Sequence, residues 1–154
     1  MECVGRLCPP SLDMINTPKF VIRAGIIPYK IGPAGGEFLL GIKEGKYTDF
    51  GGGCKGSKLE LPFSCAVREM REETGISDID LNNITHIFIS GKNKPHQIIL
   101  LIKVDDFRFP AKVPKGELER MERISWARFS SLPKTRLQDS LKGIRDNLVF
   151  TFFD

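Results

Sequence analysis

The chain has 154 residues, 41% of them hydrophobic and 27% charged, with a formal net charge of +4. That composition fits one globular α/β-sized domain and excludes a chain disordered throughout. The small basic excess favours anionic ligands such as nucleotides, polyphosphates or RNA, and falls short of the clustered basic stripe of a dedicated nucleic-acid binder.

In chain order, residues 1–18 lack periodicity and carry Pro9, Pro10 and Pro18, which reads as an irregular arm before a single domain spanning 19–154. They have no charged start followed by an apolar run, so they do not resemble a secretory signal. Phe20–Ile31 is apolar and β-branched and reads as a strand. Gly32, Pro33, Gly35 and Gly36 form a turn, and Glu37–Lys43 returns as the second arm of a hairpin. Tyr47–Phe50 reads as a short extended piece before the triple glycine Gly51–Gly53. Pro62 suits the first turn of a helix, which should run to Thr74 and stop at Gly75. Ile84–Ser90 and Gln97–Val104 are strand candidates separated by the polar stretch Gly91–His96. The longest strongly apolar run, Ile98–Ile102, is far too short to span a membrane. Phe107–Gly116 reads as a loop and Arg123–Trp126 as a short strand. Thr135–Asn147 has helical spacing, and Val149–Phe153 is an apolar tail. Strands mixed with two helices predict an α/β fold, a mixed sheet covered by helices.

Cys3, Cys8, Cys54 and Cys65 match no Cys/His zinc spacing with His86 or His96. Cys54 falls in the glycine segment and Cys65 in the helix, which predicts free thiols in a reducing compartment. A cytoplasmic setting with no membrane association follows from the same features.

The helix Phe63–Gly75 (FSCAVREMREETG) concentrates the chemistry. At about 100° per residue, Phe63, Ala66, Val67, Met70 and Thr74 share one arc, while Cys65, Glu69, Glu72 and Glu73 share another. Glu69 has like-charged neighbours at i+3 and i+4, which destabilises a helix by about 0.2–0.5 kcal/mol per pair. Arg68 reaches Glu72 at i+4 and relieves part of this. A divalent cation would relieve more, and Mg²⁺ or Mn²⁺ prefers such oxygen ligands. An ordinary solvated acidic face is the competing reading of the helix alone. The preceding glycines favour the metal, because such a segment lets backbone N–H groups approach phosphate.

Arg68-Glu69-Met70-Arg71-Glu72-Glu73-Thr74-Gly75-Ile76 resembles the core of the Nudix box, R-E-U-x-E-E-x-G-U with U a bulky aliphatic residue. Glu60 lies at the expected distance before Arg68. The front half departs by one residue: six residues separate Gly53 from Glu60, and Cys54 stands where the pattern has glycine. The resemblance covers residues 51–76 and implies a Nudix-like α/β/α sandwich. It also implies metal-dependent hydrolysis of a nucleoside diphosphate linked to another group. Glu69, Glu72 and Glu73 then become metal ligands for Mg²⁺ or Mn²⁺, with Glu69 as ligand or base, and Arg68 orients them.

A further glutamate outside the box is expected among Glu117, Glu119 and Glu122, with Glu119 and Glu122 preferred. Gly52, Gly53, Lys55, Lys58, Arg23 and Lys43 are candidates for substrate phosphates. Tyr47, Phe50 and Trp126 are candidates for stacking on a base. A small nucleotide-containing molecule, capped RNA for a decapping enzyme, and a non-catalytic nucleotide-binding module are the alternatives that remain. Substrate identity, the number of metals and the oligomeric state are not fixed by the residues.

Overall fold

Ten consecutive residues from Arg23 form the longest strand because isoleucine, alanine and tyrosine alternate there between two apolar layers. The structure, a computed structural model, describes residues 5–11, 22–33, 35–56, 60–91, 96–107 and 118–148. The strands are β1 (Leu7–Cys8), β2 (Arg23–Gly32), β3 (Gly35–Lys43), β4 (Lys46–Thr48), β5 (Phe50–Gly53), β6 (Ile84–Ser90), β7 (Gln97–Lys103) and β8 (Arg120–Ser125). The α-helices are α1 (Pro62–Thr74), α2 (Trp126–Ser131) and α3 (Asp139–Leu148), with short 3₁₀ turns at Leu81–Asn83 and Lys134–Arg136.

The sheet runs β1-β6-β7-β2-β3-β4, with β5 also paired to β2 and β8 to β3. It is mixed, since β2 and β7 are parallel and the other pairs antiparallel. One edge of β2 changes partner along its length. Arg23–Ile26 pair with β5, whereas Tyr29–Gly32 pair with β3. The sheet therefore splays between β5 and β3, and the start of β2 carries its side chains into that opening.

Two apolar clusters flank the sheet. Ala24, Ile26, Leu39, Leu100 and Ile102 meet Ala66 and Met70 of α1 on one face. Ile27, Tyr29, Phe38, Leu101 and Ile124 meet Phe129 of α2 and Leu141 and Ile144 of α3 on the other. This is the expected α/β/α sandwich. Burying a side chain such as Met70 contributes about 1.5–3 kcal/mol. That outweighs the like-charge repulsion among the α1 glutamates.

The ends of α1 follow the sequence signals. Leu61 is extended, Pro62 opens the helix, and Gly75 closes it at φ 80° with its N–H donating to the Arg71 carbonyl at 2.8 Å.

Four expectations need correction. Leu7–Cys8, read within an irregular arm, is a strand paired with Phe88 and Ile87 at the sheet edge. Gly35 and Gly36, read as turn, already belong to β3. Trp126, read as the end of a strand, opens a helix because the Ser125 hydroxyl accepts from Arg128 N–H at 3.2 Å and caps it. The last helix begins later than Thr135, because Leu137 is held extended beside Tyr47 and Gln138 N–H donates to the Tyr47 carbonyl at 2.9 Å. Residues 1–4 and 12–18 of the arm, most of the Phe107–Gly116 loop, part of the Gly91–His96 stretch and the tail Val149–Phe153 lie outside the described residues. No helix among the described residues is long and apolar enough to cross a membrane.

Gly75 is the sharpest local test of this architecture. Gly75→Ala places a Cβ in the left-handed region and should lower stability by about 1 kcal/mol or more, read from the urea midpoint at unchanged slope.

Candidate active site

Arg68 is the hub of the carboxylate cluster. Its Nε donates to Glu60 Oε2 at 2.7 Å and its Nη2 to Glu60 Oε1 at 2.9 Å. Nη1 donates to Glu69 Oε1 at 3.1 Å and to Glu72 Oε1 at 3.1 Å, and Nη2 also reaches the Gly53 carbonyl at 2.9 Å. One guanidinium thus joins α1, the segment before it and the end of β5. The geometry suits arginine, whose planar fork serves several acceptors at once. The Arg68 hydrogen bond holds the Glu60 carboxyl below its ordinary range, helped by the Lys55 N–H at 3.0 Å.

The irregular front half is thereby resolved. Glu60 makes its contact to Arg68 despite the altered glycine spacing. Cys54, at the glycine position, is disulfide-bonded to Cys65 of α1, with Cα atoms 5.2 Å apart. The expected free thiols are not what the structure holds: no described cysteine is free. Helical angle alone grouped Cys65 with the acidic arc, but it is fully buried against β5, its Sγ 3.8 Å from the Gly52 carbonyl.

The three glycines of the segment do something other than form an open loop.

 Gly51, Gly52 and Gly53 are the end of β5, laddered to Gly25, Ala24 and Arg23. Glycine is required there by close approach. A Cβ on Gly52 would lie 2.5–2.8 Å from the Glu69 carboxylate, and one on Gly51 would lie 2.6 Å from the backbone of β2. Gly52 and Gly53 therefore sit directly against Glu69 and Arg68.

Glu73 is placed differently from its neighbours. Glu72 is half exposed, whereas Glu73 is partly buried and its Oε1 is shielded from solvent with no hydrogen-bond partner. Burial, then Asp49, then Glu69 push its pKa up to about 8, against the opposing pull of Arg23 and Lys43. Asp49 is the residue that sequence reasoning missed. It is buried, accepts both Nη groups of Arg23 at 3.0 Å, and accepts the Ser140 hydroxyl at 2.7 Å. Its signal was indirect: an arginine opening an apolar strand needs a counter-charge. Arg23 and Lys43, with Thr48, Gln97, Gln138, Asp139 and Ser140, line a cavity of about 230 Å³. A larger cavity of about 790 Å³ is bounded by Ile26, Leu39, Met70 and Phe107, and neither cavity is lined by an α1 glutamate.

The other candidates make contacts of their own. Glu119 accepts from Gly45 N–H at 3.2 Å and holds the β3–β4 turn, while Glu122 faces Arg120 at 3.4 Å and Tyr47. Neither hydrogen-bonds or ion-pairs with Glu69, Glu72 or Glu73. Glu117 and Lys58 lie outside the described residues. Lys55 contributes its backbone N–H to Glu60. Tyr47 and Phe50 are core residues with no face free to stack on a base, and Trp126 packs on Phe38 and Phe129.

No family profile and no curated protein matches the chain by sequence. Solved structures do match it by shape. A Nudix hydrolase from M. smegmatis, RenU, superposes with a TM-score of 0.58 at 17% identity, covering 84% of each chain. The Bacillus subtilis pyrophosphohydrolase BsRppH gives 0.56 at 18% identity, over 89% of this chain and 81% of that one. A C. elegans Ap4A hydrolase in a binary complex gives 0.54 at 17%, over 84% and 96%. The chain has the Nudix fold.

Two measurements probe the site directly. Gly52→Ala should displace the Glu69 carboxylate, seen as altered side-chain chemical shifts for Glu69 with the helix content unchanged. The second concerns pH. A carboxyl with a folded pKa near 8 and an unfolded value near 4.5 binds its proton more tightly when folded. Stability is therefore lost as pH rises between those values. Without divalent metal, Glu73→Gln should be more stable than wild type at pH 8 by at least about 1 kcal/mol and show little difference at pH 4.

Proposed function

We propose that this chain is a metal-dependent Nudix-type pyrophosphohydrolase that cleaves a phosphate anhydride in a nucleoside diphosphate linked to another group. The observation that carries the reading is the shielded, unpartnered Glu73 Oε1 beside Glu69 and Asp49. A buried carboxylate oxygen without a donor is costly, and a hard divalent cation satisfies it. Glu69, Glu72 and Glu73 would hold Mg²⁺ or Mn²⁺, and their all-oxygen donor set fits either ion. When bound, the metal neutralises phosphate charge and acidifies water.

The chain's own groups supply the remainder. Arg68 keeps Glu69 and Glu72 turned to one side of α1, a positioning role set by its hydrogen bonds. Arg23 and Lys43 present positive charge at the smaller cavity, where phosphate oxygens would bind. Glu69, next to the Gly52 backbone, accepts the proton of the attacking water. Gly52, Gly53 and Lys55 are further candidates for contact with the substrate phosphates. Glu119 and Glu122 stay as candidates for an additional base, each with a contact of its own to Gly45 and Arg120.

The neighbours in fold include an Ap4A hydrolase and a pyrophosphohydrolase, which supports a nucleotide-containing small molecule as substrate. A cytoplasmic setting belongs to the same reading. The test is turnover with Mg²⁺ or Mn²⁺ on nucleotides, dinucleoside polyphosphates, nucleotide sugars and capped RNA. Hydrolysis of a small nucleotide is the expected result. Release of m⁷GDP from capped RNA alone would redirect the assignment to decapping, and no turnover on any substrate would leave a binding module. Glu73→Gln should lose at least about 100-fold in kcat while its circular dichroism spectrum stays that of wild type. Undiminished turnover in that variant would exclude the metal role.

A further inference from the structure

The Cys54–Cys65 bond ties the end of β5 to α1 at the point where both approach the carboxylates. Cys54 follows Gly53, whose carbonyl accepts from Arg68, and Cys65 lies one helical turn before Glu69. The 5.2 Å Cα separation is ordinary for a disulfide. On the strand side, Cys54 N–H donates to the Ile22 carbonyl at 2.8 Å, so the bond extends the link to the approach to β2. Glu69 packs on the Gly52 backbone with no space for a methyl group, so a small slide of β5 against α1 reorients that carboxylate.

We propose that the Cys54–Cys65 disulfide is a redox-sensitive positioning device: closed, it holds β5 against α1 and keeps Glu69 and Arg68 aligned, and opened by a thiol reductant it loosens the site. The consequence for turnover rests on the hydrolase reading above. The bond joins a core position of α1 to the partly accessible Cys54 beside the carboxylates, where a thiol reductant can reach it. Cys54 is only partly buried, whereas Cys65 is fully buried. A dithiol reductant therefore attacks the Cys54 sulfur, and the Cys65 thiolate leaves and takes up a proton. The second thiol of the reductant then displaces Cys54 as a thiol. Two electrons and two protons pass to the protein, and the reductant becomes a cyclic disulfide.

The experiment compares the full chain as oxidised, as reduced with dithiothreitol and desalted anaerobically, and as re-oxidised with glutathione disulfide. Alkylation and mass measurement report the state of the Cys54–Cys65 pair in each. Mn²⁺ affinity is measured independently of turnover, and kcat and KM on a substrate from the panel follow. Reduction is expected to weaken Mn²⁺ binding about 5- to 10-fold and to lower kcat, with both restored on re-oxidation. The C54A/C65A double variant should match the reduced wild type and ignore dithiothreitol. Unchanged Mn²⁺ affinity on reduction, a pair that cannot be oxidised, or a double variant still sensitive to dithiothreitol would each overturn the proposal. Redox-dependent Mn²⁺ affinity without turnover in any state would support the device and defeat the hydrolase reading. Turnover with no redox response of affinity or kcat would do the reverse.

Discussion

The fan of hydrogen bonds from Arg68 is the constraint on which the site depends. A single guanidinium accepts the geometry of three elements: Glu60 before the helix, Glu69 and Glu72 on it, and the Gly53 carbonyl at the end of β5. Its side chain is only 13% exposed, so these bonds act in a medium less polar than water. Four acceptors around one cation also explain how α1 carries so much acid. Each like-charged pair costs a few tenths of a kcal/mol, and a shared arginine largely cancels that.

A second charge cluster lies on the inner side of α1, with the opposite balance. Asp49 is satisfied by Arg23, Thr48 and Ser140, while Glu73 meets two like charges and has one oxygen with no donor. A folded protein tolerates such an arrangement where something else is gained, and under the proposed function the gain is a carboxylate poised for a cation. The splay of the sheet produces this cluster. Because β2 leaves β3 and takes β5 as its partner, Arg23 and Asp49 meet in the gap that the helix covers.

Much of the site was legible because its signals are local. Pro62 and Gly75 bound the helix, and the apolar positions Ala66, Met70 and Thr74 fix which face turns inward. Arg68 and Glu72 meet at helical spacing, whereas Glu60 lies outside the helix and its contact to Arg68 was not fixed by spacing. The strand assignments of β2, β3, β6 and β7 rest on β-branched runs with few competitors. Long-range pairings were not legible. Asp49 meets Arg23 across 26 positions and Ser140 across 91, so no periodicity announces it. Cys54 and Cys65 are 11 apart, and helical angle placed Cys65 on the acidic arc without revealing that β5 covers that part of it. Leu7–Cys8 is a strand only because β6 offers an edge. The glycines were read for the freedom of their backbone, whereas their role at Gly51 and Gly52 is the absence of a side chain.

The central claim is that the inner face of α1 takes a divalent cation through Glu73. Calorimetric titration of the protein with Mn²⁺ at pH 7, repeated in buffers of different ionisation enthalpy, counts the protons released on binding. A carboxyl with a pKa near 8 is largely protonated at that pH, and the cation must displace its proton. Saturable Mn²⁺ binding with release of close to one proton is the predicted result. Absence of binding, or binding with no proton released, would contradict the account.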